Sequence, residues 1–125
     1  MSLPQAVVIY GLEHARLALA PGRKLTLLSA PGAALYAGCL WWRGVIEAAG
    51  FAGPDVLDCA DAPGRALEAL SVGCRHLVLL PCPAWDSVNE RAAAAGAVLL
   101  PARPEALDLA RPGAERRIAA WLGFG

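Results

Sequence analysis

Five short apolar runs, each closed by turn residues and parted from the next by a helix-length stretch, constrain this 125-residue chain more than anything else. The runs are Ala6-Val-Val-Ile-Tyr10, Leu25-Thr-Leu-Leu28, Asp55-Val-Leu-Asp58, His76-Leu-Val-Leu-Leu80 and Ala97-Val-Leu-Leu100. Apolar runs of this length, with no polar alternation, read as strands covered on both faces. The stretches between them carry helix punctuation. Leu12 to Ala20 is stopped by Pro21-Gly22. Ala33 to Ala49 ends at Gly50, with Leu35, Cys39, Trp42, Ile46 and Ala49 as its core stripe and Tyr36, Leu40, Arg43 and Glu47 along a second one. A third helix starts at Asp61, an N-cap candidate with Pro63 in the first turn, and runs through Leu67 and Leu70 to Gly73. A fourth opens at Pro83, turns Trp85, Val88 and Ala92 inward, and ends at Gly96; a last one spans Ala114 to Leu122.

Strands alternating with helices imply a parallel sheet, because each parallel pairing needs a crossover. Five units are too few for an eight-fold barrel. The expectation is one α/β domain over residues 1–125, a three-layer sandwich with a five-stranded, mainly parallel sheet, doubly wound and flavodoxin-like. The tail between Pro101 and Pro112 holds three prolines and reads as irregular or a single helical turn.

The composition narrows the partners. Apolar residues make up 57% and charged ones 18%, a surface short of charge that favours burial against a second copy of the chain. Eleven basic residues balance eleven acidic ones, so there is no basic excess to neutralise phosphates and nucleic acid is not expected. Met1-Ser2-Leu3-Pro4-Gln5 lacks the basic region and apolar run of a signal peptide. With an apolar core and no export signal, Cys39, Cys59, Cys74 and Cys82 are expected reduced, in the cytoplasm. Leu25 to Trp42 carries no charge over nearly a membrane-spanning length, but Pro31-Gly32 interrupts it, so no membrane is expected.

A site in such a fold lies beyond the carboxyl ends of the strands. Those ends carry Tyr10-Gly11-Leu12-Glu13-His14, Ser29 to Gly32, Asp58 to Asp61, Pro81-Cys82-Pro83, and Pro101-Ala-Arg103. Ser29 and Gly32 lead from a strand into a helix, where backbone amides either hold an anion or simply start a capped helix. Neither a dinucleotide fingerprint nor a nucleotide-hydrolysis loop is present, and no motif names a cofactor. Asp58 and Asp61, with Cys59 between them, are paired carboxylates suited to acid–base work; against that, Asp61 is placed to cap its helix and Asp58 has no such duty. Cys82, before Pro83 at a helix start, is a nucleophile candidate, although a lone cysteine in apolar surroundings is more often packing. Cys59 becomes its neighbour if the third and fourth strands pair. Asp58 and Cys82 are therefore the catalytic candidates, and Ser29, Gly32, Asp58, Cys59, Asp61 and Cys82 the ligand-binding set. His14 approaches this edge and His76 starts a strand at the opposite one; their spacing to the cysteines matches no zinc pattern, and no metal is expected. A serine-hydrolase elbow is absent.

The stretches Leu27-Leu-Ser-Ala-Pro-Gly-Ala-Ala34, Tyr36-Ala-Gly38 with Leu40-Trp41-Trp42, and Leu57-Asp-Cys-Ala-Asp-Ala-Pro-Gly-Arg-Ala-Leu67 resemble a group of small uncharacterised bacterial α/β proteins. The resemblance runs through most of the chain. It implies a compact α/β fold and carries over neither a mechanism nor site residues.

Two functions stand from the residues. One is small-ligand binding at the strand ends. The other is a homo-oligomeric interaction module without chemistry, contacting through Tyr36, Leu40, Trp41, Trp121 and the apolar end at Phe124, since aromatic residues are enriched at interfaces.

Overall fold

The computed structural model describes residues 2–123. Phe124, one of the contact candidates, and Met1 lie outside the described residues. The elements run β1 (Ala6–Ile9), α1 (Leu12–Leu19), β2 (Thr26–Ser29), α2 (Ala33–Tyr36), α3 (Cys39–Ala48), β3 (Asp55–Asp58), α4 (Pro63–Ser71), β4 (His76–Val78), α5 (Trp85–Ala94), β5 (Val98–Leu100), β6 (Ala106–Asp108), a 3-10 turn (Ala114–Arg117) and α6 (Ile118–Trp121). All six strands are parallel, in the order β5-β4-β3-β2-β1-β6.

Three expectations change. The sheet has six strands, not five: Ala106–Asp108 pairs beside β1, in register Ala6–Ala106 to Val8–Asp108. Only three residues long and hemmed by prolines, it gives no strand signal of its own. The order also departs from the flavodoxin-like 2-1-3-4-5. From β1 to β5 the chain steps one strand at a time in one direction. Right-handed crossovers made in one direction place every helix on the same face. Accordingly the buried residues of all six helices pack with Val7, Ile9, Leu27, Leu57, Leu77, Leu79, Leu99 and Leu107 in one cluster. Ala6, Val8, Leu28, Val56 and Val78, on the alternate side of the strands, form a second small cluster with Leu3, Leu100 and Ala106 and no helix residue. That second face is apolar because chain segments cover it, which is why the strands read as doubly covered.

The third change is in the longest helix, which divides at Ala37-Gly38. Gly38 stands at φ 89, a conformation glycine adopts without steric cost. The break turns Leu35 out of the core stripe to 48% exposure, while Trp42 and Ile46 stay buried as the spacing implied.

The return from β5 to β6 sets the shape of the sheet. The two strands are at opposite edges, five strand spacings apart, or about 24 Å across a flat sheet. The six steps from Leu100 to Ala106 reach at most about 22 Å and must also descend the strand length. The sheet therefore curls, with the helices on one face and the 101–105 crossing laid over the other, inner face. One direct sign is that Ala102, Pro104 and Glu105 border the same cavity as Ala6, Leu100 and the 2–5 segment.

Candidate functional site

Four adjacent strand ends, those of β6, β1, β2 and β3, form the site. The chain leaves β1 over the helical face and enters β6 from the other, so this is where the winding reverses, the place where such sheets hold ligands.

Asp58 ends β3 and is 3% exposed as a residue. A buried carboxylate needs donors on both oxygens, and it has them. The Ala60 amide donates to Oδ1 at 2.7 Å, closing a tight turn that holds Ala60 at φ 51. Arg103 Nη1 donates to Oδ2 at 2.5 Å, and Arg103 Nη2 donates to the Ser29 carbonyl at 3.2 Å. The Ser29 hydroxyl accepts from the Asp58 amide at 2.9 Å and donates to the Ala30 carbonyl at 3.1 Å. Ser29, Asp58 and Arg103 thus lock the ends of β2 and β3 to the crossing segment. Arg103, reaching in from the far edge of the sheet, was not among the sequence-based site residues. Its turn, Pro101-Ala-Arg103, was among the strand ends, but no spacing ties it to Asp58, 45 residues earlier and two strands away.

Beside it, the Tyr10 hydroxyl donates to Asp108 Oδ2 at 3.2 Å, linking β1 to β6, and the Ala110 amide donates to Asp108 Oδ1 at 2.9 Å. Burial and then the Asp108 carboxylate hold the Tyr10 phenol above its ordinary value, so it remains a protonated donor. His14 Nδ1 accepts from the Tyr10 amide at 3.1 Å, which leaves the proton of a neutral ring on Nε2, and the two rings meet edge to face with centroids 5.6 Å apart. Tyr36 ends α2, the helix that follows the carboxyl end of β2, and is exposed. Tyr10 and Asp108, like Arg103, are site residues that the sequence reading did not select.

The remaining candidates divide. Gly32 stands at φ 66 at the start of α2, with the position of its missing Cβ 4.0 Å from Ala60 Cβ, so it belongs to this edge as a turn residue. Ser29 does not cap α2; Gly32 takes that position, and the serine hydroxyl is turned inward instead. Asp61 is exposed and does not cap α4, whose N-cap is Ala62 with no side-chain bond. Pro63 does occupy the first turn. Cys59 is fully buried, and its thiol is pushed up to about 12 by burial first and then by Asp58, so it is neither a thiolate nor a ready metal ligand. β3 and β4 do pair, and all four thiols are free. Cys82 lies half-buried before α5, in a shallow hollow with Pro81, Trp85, Asp86 and Pro101. His76 begins β4 at the amino edge.

Both Asp58 oxygens are engaged, so proton transfer there requires Arg103 to leave. Arg103 is a quarter exposed and uses two of its five N–H groups, which leaves donors for a ligand. Among the described residues, no group of three or more His, Cys, Asp or Glu side chains is placed to hold a metal ion, and no helix is long and apolar enough to cross a membrane. Compared with known proteins, the chain matches no family model, no curated protein and no solved structure.

Proposed function

We propose that this protein binds a small molecule at the carboxyl edge of its sheet, with Arg103 as the anchor. The observation that carries the reading is the guanidinium held at the strand ends with donors to spare. Arg103, the Nε2–H of His14 and the Tyr36 hydroxyl make the edge rich in donors. The ligand class that fits is a small molecule presenting carboxylate or carbonyl oxygens, with an apolar part against the exposed Leu35 and Tyr36. Four free thiols and no need for a staple suit a reducing cytoplasm.

Native mass spectrometry of freshly purified protein tests this. The expected result is a retained mass of a few hundred daltons or less, reduced in Arg103→Gln. Bare wild-type protein that also takes up no small carboxylate on titration would defeat the reading.

A second copy of the chain is the other reading, and it rests on a separate observation. Leu35, Tyr36 and Leu40 are 48%, 69% and 73% exposed and lie on either side of the α2–α3 break. Trp41 and Trp121, the other contact candidates, are partly buried against the core, and Trp121 Nε1 donates to the Ala6 carbonyl at 2.7 Å. The same spectra decide this reading by subunit number, which Tyr36→Ser with Leu40→Ser would lower.

A further inference from the structure

We infer a second small-molecule site at the opposite end of the sheet, on its inner face, for a neutral, mostly apolar molecule carrying one hydrogen-bonding group. The curl of the sheet opens a cavity of about 440 Å³ between the amino ends of β4 and β5 and the two segments that cross the inner face. Its size falls in the range of small-ligand sites, and its lining is mainly apolar: Leu3, Ala6, Val98, Leu100 and Pro104, with His76 at the start of β4. Val98 is 48% exposed there, an apolar strand residue on a face that otherwise buries its side chains.

The polar group is His76. Alternation along β4 sends Leu77 to the helical face and His76 with Val78 to the inner one. Its Nδ1 is buried and forms no hydrogen bond among the described residues, an unusual state for a buried polar atom. The terminal torsion of histidine is soft and roughly two-fold, so the ring can turn that nitrogen toward an occupant of the cavity. Burial holds the ring below its ordinary pKa, so it is neutral at pH 7 and offers one donor and one acceptor. Glu105 on the rim disfavours anions. Together these select a neutral molecule such as a phenol, an alcohol or an aryl amine.

N-phenyl-1-naphthylamine, neutral and apolar with a single N–H, is the probe. Wild-type protein is expected to raise its fluorescence saturably with one-to-one stoichiometry. His76→Phe should weaken binding about five- to ten-fold, the effect of one hydrogen bond. Val98→Trp and Ala102→Trp, both at exposed positions, should each abolish it by filling the space, and either suffices should the other fail to fold. Tyr36→Ser, at the carboxyl edge, should change nothing, which separates this site from the one proposed above. Absence of saturable binding to wild type, or an unaltered titration in the tryptophan variants, would overturn the site. Full affinity in His76→Phe would overturn the role of the histidine.

Discussion

Replacing Arg103 with methionine is expected to destabilise the protein by about 2–3 kcal/mol, and the structure gives the reason. Methionine keeps the apolar stem, so the loss is that of the guanidinium. The Asp58 side chain is 4% exposed, and without Arg103 its Oδ2 has no donor, while Oδ1 keeps the Ala60 amide. Removing one partner of a fully buried pair costs about 3–5 kcal/mol. Arg103 is a quarter exposed, so water reaches part of the vacated space and the cost falls to the low end of that range or just below it. The reverse change is milder. In Asp58→Asn the guanidinium can turn toward solvent, and the loss is about 1–2 kcal/mol of charge-assisted hydrogen bonding. Once either partner is gone the other matters less, so the double variant should fall short of the sum by about 1–2 kcal/mol. Urea unfolding at pH 7 measures all three. Single changes that add within about 0.5 kcal/mol would refute the coupling, and with it the claim that this pair fastens the crossing segment to the strand ends.

Other perturbations have equally definite outcomes. Because the folded His76 pKa is lowered, by burial first and by Arg75, with Asp55 opposing, the unfolded chain takes up the proton more readily. That contribution to stability is present above the unfolded value of about 6.5 and is lost as pH falls through it, so unfolding between pH 7 and 5.5 should show a slope that His76→Phe removes. Ala60 sits at φ 51, where an L side chain is strained by about 1–2 kcal/mol; Ala60→Gly should be stabilising by about 0.5 kcal/mol after the entropy of glycine is counted, whereas Gly32→Ala, at φ 66 with room for a Cβ, should cost about 1 kcal/mol. Cys59 and Cys74, held near 12 and 11 chiefly by burial, should resist a thiol reagent at pH 8 in the native state, while the half-buried Cys39 and Cys82 react and all four do so in denaturant.

The sequence displayed its strands because apolar runs such as Val7 to Ile9 and Leu77 to Leu79 leave no alternative. It could not display their order. Doubly covered strands are equally apolar whether the second layer is helices, as expected, or the 2–5 and 101–105 segments, as found. β6 was hidden because Ala106–Asp108 gains its place from β1 rather than from its own residues. At the site, Asp58 was legible as a carboxylate without a capping duty, and it is the residue around which the edge is built. Arg103 was not, because 45 residues and the whole crossing separate it from Asp58. Cys59, counted with the ligand-binding residues for its place between Asp58 and Asp61, is fully buried, and that burial raises its thiol pKa.

The most direct test of ligand binding at the carboxyl edge is an amide and arginine Nε NMR titration of the labelled protein with a panel of small carboxylates. The account predicts saturable shifts confined to Arg103 Nε–H and the amides of Tyr10, Ala30 and Ala60, absent in Arg103→Gln. Shifts that cluster elsewhere, or that survive in Arg103→Gln, would contradict it.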